Sequence, residues 1–88
     1  MEFIEVVYSP AVLDKLHAKH GVEECEVDEA LFGHTHVRRG RSGLYQVYGR
    51  TDAGRYLFVA VRDLGGGRAR VATARDMTEQ ERRRYGRR

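Results

Sequence analysis

The spacing of apolar positions changes several times along the chain, and each change marks an element. Residues 2–8 (EFIEVVY) crowd apolar and β-branched side chains together and predict a short strand over Glu2–Tyr8. Ser9-Pro10 then reads as a helix start. Ser9 offers its hydroxyl as N-cap, and Pro10 takes the first helical position, where a missing N–H costs nothing. Val12, Leu13, Leu16 and His20 follow helical spacing, and Gly21 supplies a left-handed stop. A second helix is predicted from Val22 to Phe32. Glu23, Glu24 and Glu26 favour its positive N-terminal end, Val27, Ala30 and Leu31 form its apolar stripe, and Gly33 ends it.

The run His34–Gly43 (HTHVRRGRSG) is polar and basic and predicts a loop, with at most a short edge strand around His36–Arg38. Three strands follow, Leu44–Arg50, Arg55–Asp63 and Arg68–Arg75. They are joined by Thr51-Asp52-Ala53-Gly54 and by Leu64-Gly65-Gly66-Gly67. Thr78–Arg84 closes the chain as a helix, with Thr78 and Glu81 as a capping box. The order β-α-α-β-β-β-α predicts an α+β fold with helices packed on one face of a small antiparallel sheet. Pairing Arg50 with Arg55, and Asp63 with Arg68, sets Arg70 opposite Val61 and Arg75 opposite Tyr56. Arg75, Tyr56, Phe58, Val71 and Thr73 then share one sheet face. That face reads either as an RNA surface combining stacking with phosphate contact, or as core beneath the helices with Arg75 at a strand end.

Length narrows the choice of fold. Eighty-eight residues make one domain, 1–88, and a chain of this size buries only about 60–65% of its unfolded surface. Large cofactor-binding folds are excluded, and no cofactor is expected. A single Cys excludes a disulfide framework and points to a reducing, cytoplasmic setting. The longest apolar runs, such as Tyr56–Val61, are too short to cross a bilayer, so no membrane partner is expected. The N-terminus lacks the basic region of a signal peptide.

The net charge of +3 hides a segregation. Residues 1–33 carry eight acidic residues against two Lys, whereas residues 34–88 carry fourteen Arg against five acidic residues. Such asymmetry describes partners rather than fold. It fits a polyanion-binding face, most simply for nucleic acid, and equally a genome that writes Arg for Lys on a solvated surface. The four His match no zinc spacing, even with Cys25 added, and no metal site is expected. His34 and His36 read as solvated loop residues, and Cys25 as a small hydrophobe on the second helix. Lys19 and His20 stand at a helix C-terminus, where the dipole favours cations; His20 can act there as a general acid or as a phosphate-binding cation.

Several of these segments recur together in one order. Lys19-His20-Gly21-Val22 is followed by Glu26–Phe32 (EVDEALF), then by Tyr48-Gly49-Arg50-Thr51 ahead of Gly54-Arg55. Last come Thr73-Ala74-Arg75-Asp76-Met77-Thr78 and Glu81-Arg82-Arg83-Arg84-Tyr85. In this the chain resembles the BrnT family, small bacterial toxins of type II toxin–antitoxin pairs. The resemblance implies a RelE-like fold and metal-independent endoribonuclease activity. It also implies neutralisation by a BrnA-like antitoxin with a ribbon-helix-helix DNA-binding domain. On this resemblance Arg75, in the tail motif, is the first candidate for a phosphate clamp, with Arg55 and Arg50 next. Lys19 and His20, from the first motif, are candidates for acid, base or clamp. Tyr85 and Glu81 lie near Arg75 in sequence, Tyr85 as site residue or core and Glu81 as cap or catalyst. Arg41 and Arg70 complete the candidate RNA-binding set. Many family members carry a Glu-Arg pair where this chain reads Ser42-Gly43-Leu44, which leaves the general base unassigned. The rival reading is a non-catalytic basic module that holds nucleic acid or an acidic protein.

Overall fold

A computed structural model describes residues 3–86. They form β1 (Glu5–Val7), α1 (Pro10–His20), α2 (Glu24–Phe32), β2 (His36–Arg39), β3 (Leu44–Arg50), β4 (Tyr56–Gly65), β5 (Arg68–Asp76) and α3 (Glu79–Gly86). The helix signals work as short-range chemistry requires. Ser9 Oγ accepts from the Val12 N–H at 3.2 Å. Gly21 stands at φ 60°, and the N–H groups of Gly21 and Val22 donate to the carbonyls of His17 and Leu16. That double closure uses up Val22 and turns its side chain into the core. Helix α2 therefore starts at Glu24 rather than Val22, with Glu23 as its cap; the Glu23 N–H donates to the Glu26 carboxylate at 3.0 Å. Strand β1 is shorter than expected, and Glu2 lies outside the described residues.

The sheet has five strands in the order β1-β5-β4-β3-β2. It is mixed rather than purely antiparallel, because β1 pairs in parallel with β5, Glu5 opposite Arg68. The whole of α1 to β4 lies between these two strands, ample length for a crossover that a hairpin cannot make. In the basic run, the short edge strand read around His36–Arg38 forms as β2, one residue longer, with His36 opposite Tyr48 and Arg39 opposite Tyr45. Composition pointed to a loop there, yet charged residues are what an exposed sheet edge carries.

Registers differ from expectation in ways that matter for the site. Arg50 faces Tyr56, not Arg55, because the turn holds five residues: the Thr51 N–H donates to the Arg55 carbonyl at 2.8 Å. Across the next hairpin Asp63 faces Ala69, Arg70 faces Arg62 and Arg75 faces Phe58. Ala60 pairs with Thr73 and Val61 with Val71, so Ala72 is an extra residue in a bulge. The bulge reverses the alternation along β5. Val71 joins Leu57, Val59 and Val61 in the core, while Thr73 and Arg75 turn to the other face beside Tyr56 and Phe58.

Helices α1 and α2 cover the first face, where Leu16, Val27 and Leu31 meet Val47, Leu57 and Val59. Burying each such side chain contributes about 1.5–3 kcal/mol. Gly49 lets α2 lie directly on β3, since a Cβ there would stand 2.4 Å from the Ala30 carbonyl oxygen. Cys25 is exposed on α2 and packs into no core, contrary to expectation. Helix α3 also departs from the one-face arrangement. It buries none of its residues and reaches over the opposite sheet face through Glu81, Arg82 and Tyr85.

Candidate nucleic-acid interface

Strand alternation brings His36 and Arg38, Gln46 and Tyr48, Tyr56 and Phe58, and Arg75 onto the face that α1 and α2 leave uncovered. Arg75 is its best-fixed cation. The guanidinium carbon lies 4.2 Å from the Phe58 ring centroid. Its two Nη atoms donate to the two oxygens of Glu81 at 2.8 and 3.1 Å, and Nη1 also reaches the Asp76 carbonyl at 3.0 Å. Glu81 is held from its other side by the helix start. Its carboxylate accepts from the Thr78 N–H at 2.9 Å, and its own N–H donates to Thr78 Oγ1 at 3.1 Å, so the capping box forms as expected. Hydrogen bonding to Arg75 holds the Glu81 carboxyl below its ordinary range, against a smaller opposing effect of burial. The same bonds hold Arg75 above its ordinary value.

Aromatic rings floor this site. Tyr48, nearly buried, lies 5.4 Å from Phe58 and 6.2 Å from His36 between ring centroids. Tyr85 donates its phenol proton to the His34 carbonyl at 2.8 Å and meets Tyr56 edge-on at 5.9 Å. Burial pushes the Tyr85 phenol up, while the charge of Arg50 pulls it down. A narrow cleft between α3 and β2 is lined by His36, Arg38, Tyr48, Glu81, Arg84 and Tyr85. Beside it, an open depression runs over Phe58 and Ala60 to Arg38 and Arg41. Arg50 lies over the Tyr56 ring at 4.9 Å. Arg70 stands opposite Arg62 at the far end of the same face, and both are exposed.

The other sequence candidates lie across the sheet. Lys19 and His20 end α1, on the helix-covered side. Arg55 caps that helix end, donating to the carbonyls of His20 and Gly21 at 2.9 Å each. It also pairs with Glu26 at 3.1 Å and with Asp76 at 2.7 and 3.2 Å. Those bonds hold the Asp76 carboxyl below its ordinary range. Arg55 thus ties α1, α2 and β5 together, while Arg75, one residue before Asp76, points to the opposite face. Sequence reasoning left out Tyr48, His36 and Arg38 and did not pair Glu81 with Arg75. The alternation His36-x-Arg38 was the available signal for β2.

Among the described residues no three His, Cys, Asp or Glu side chains group closely enough to hold a metal ion, and no helix is long and apolar enough to cross a membrane. No family model and no curated protein matches the chain. A solved structure does: the crystal structure of the Brucella abortus ribonuclease toxin BrnT superposes with a TM-score of 0.71, covering 85% of this chain and 97% of that one at 14% identity. At that identity the likeness is one of fold. The chain has the α+β fold of BrnT, as its motifs implied.

Proposed function

We propose that this chain is an endoribonuclease toxin of a type II toxin–antitoxin pair, acting on single-stranded RNA across the uncovered sheet face without a metal. The carrying observation is the Arg75–Glu81 clasp on the Phe58 ring: a cation aimed from a rigid strand, a carboxylate touching it, and aromatic rings alongside. The BrnT fold supports the same reading.

Arg75 binds the non-bridging oxygens of the scissile phosphate and stabilises the charge that grows on them. As the phosphate draws the guanidinium away, Glu81 loses the partner that depresses its pKa and becomes a stronger base. It takes the proton from the ribose 2′-hydroxyl, whose oxygen then attacks phosphorus. The bond to the 5′-oxygen breaks, and the Tyr85 phenol, kept protonated by burial, supplies the departing oxygen with its proton. The products are a 2′,3′-cyclic phosphate and a 5′-hydroxyl. Glu81 thereby fills the role left open by the missing acidic residue at Ser42-Gly43-Leu44. Lys19 and His20, across the sheet, take no part in the chemistry, and Arg55 holds the end of α1 there. The neutralising partner is a cognate antitoxin with a ribbon-helix-helix domain.

Induced alone in a bacterium, the chain should arrest growth, and a co-expressed antitoxin should restore it. The purified protein should cleave RNA in excess chelator and leave the 2′-deoxy analogue intact. The full bidentate engagement of Arg75 also fits a surface that only binds. Tight RNA binding with no cleavage and no growth arrest would establish that second reading instead.

A further inference from the structure

Next to the Arg75 clasp stands a second cationic group with different chemistry. Two guanidinium carbons lie over the one Tyr56 ring, Arg50 at 4.9 Å and Arg82 at 4.5 Å. Among the described residues neither guanidinium makes an ion pair, whereas Arg55, Arg68, Arg75 and Arg83 each do. Glu79, the acidic residue lining the open hollow beside Tyr56, is already paired with Arg83 at 2.8 Å. Arg50 is further positioned by the turn, because its Nη2 lies 3.1 Å from where a Cβ on Gly54 would be. Both guanidinium groups rest on one aromatic ring with no carboxylate paired to either, so their N–H donors are open to an anion.

We propose that Arg50, Tyr56 and Arg82 form a second phosphate subsite, which takes a backbone phosphate next to the scissile one on a single RNA strand. The proposal rests on the nuclease reading above and names where its substrate runs. Tyr56 and Phe58 are two residues apart on β4 and face the same way, about 7 Å along the strand. A neighbouring phosphate of an extended nucleotide chain lies within that reach. Arg75 on Phe58 and the arginine pair on Tyr56 then form two adjacent cationic steps on stacking platforms, which suits a single strand better than a duplex. Tyr85, edge-on to Tyr56, joins the two steps.

The test compares wild type with Arg82→Ala in two assays. In the first, kcat/KM is measured for a dinucleoside monophosphate and for trinucleoside diphosphates extended on the 5′ or the 3′ side. Wild type should gain about tenfold from the extra phosphate on one side, and Arg82→Ala should bring that ratio close to one. In the second, a 2′-deoxy octanucleotide, which cannot be cleaved, is titrated over a range of salt. Arg82→Ala should bind it several-fold more weakly and flatten the plot of log Kd against log salt by about 0.7, one phosphate contact. Arg82→Lys should recover part of both effects. An unchanged ratio together with an unchanged salt slope would overturn the subsite. If wild type binds the octanucleotide but cleaves nothing, the nuclease reading fails and the binding assay alone decides the subsite. If wild type binds no oligonucleotide, both fall.

Discussion

Arg75→Ala separates the site from the scaffold. The variant loses a bidentate pair at 2.8 and 3.1 Å and a ring contact at 4.2 Å. The Arg75 side chain is 36% exposed, so its ion pair is partly screened and is worth about 1 kcal/mol or less. Contact with Phe58 adds about 0.5–1 kcal/mol. Glu81 is not orphaned, since the Thr78 N–H still binds it. The expected stability loss is therefore about 0.5–2 kcal/mol, at roughly 4–8 °C in Tm per kcal/mol for a domain of this size. Loss of a transition-state cation should cost cleavage at least about 10²-fold. pH gives an independent check. Glu81 has a folded pKa below its ordinary 4.5, so its pairing adds stability above that value which is lost as pH falls through the folded pKa. The stability gap between wild type and variant should thus hold from neutral pH down to about 5 and narrow in more acid solution. Asp76, depressed in the same sense by Arg55, is present in both proteins and cancels. Melting curves from pH 7 to about 3, with RNA cleavage at neutral pH on the same preparations, make the comparison. Cleavage at near wild-type rate would refute the clamp, and a gap that does not narrow in acid would refute the pairing.

Arg55→Ala should destabilise the fold by about 2–4 kcal/mol in urea unfolding, because two carbonyls at the end of α1 and the carboxylates of Glu26 and Asp76 lose one shared donor; wild-type stability would rule out the tie. Gly49→Ala should cost about 1–3 kcal/mol by forcing α2 off β3, read as a lower urea midpoint with little change in slope. If four arginines of the uncovered face neutralise RNA phosphates, log affinity should fall against log salt with a slope of about −2.8. A flat response would mean that this face does not bind the backbone.

Much of the architecture was legible because it rests on contacts between near neighbours. Ser9, Gly21 and the Thr78–Glu81 box act over three or four residues, and the structure shows each where the residue types place it. The segregated arginines and the tail motif pointed to the half of the chain that supplies most of the candidate face. The site itself depended on distant pairings that those signals do not carry. A turn one residue longer than expected moved Arg55 off the strand and into the end of α1. The same shift left Arg50 over Tyr56. One extra residue at Ala72 sent Val71 to the core face and left Arg75 with Phe58 on the other.

What the chain's own order determined, then, was the elements, their caps and the charge of each half, all consequences of local hydrogen bonding and composition. What the tertiary structure decided was which side chains share a face. A strand has a period of two, so a slip of one residue sends every later side chain to the other side, and only packing against the helices chooses between the registers. The partner of Arg75 was decided the same way. Glu81 is six residues on in sequence, and it reaches the guanidinium only because β5, after its bulge, and α3 meet on the uncovered face.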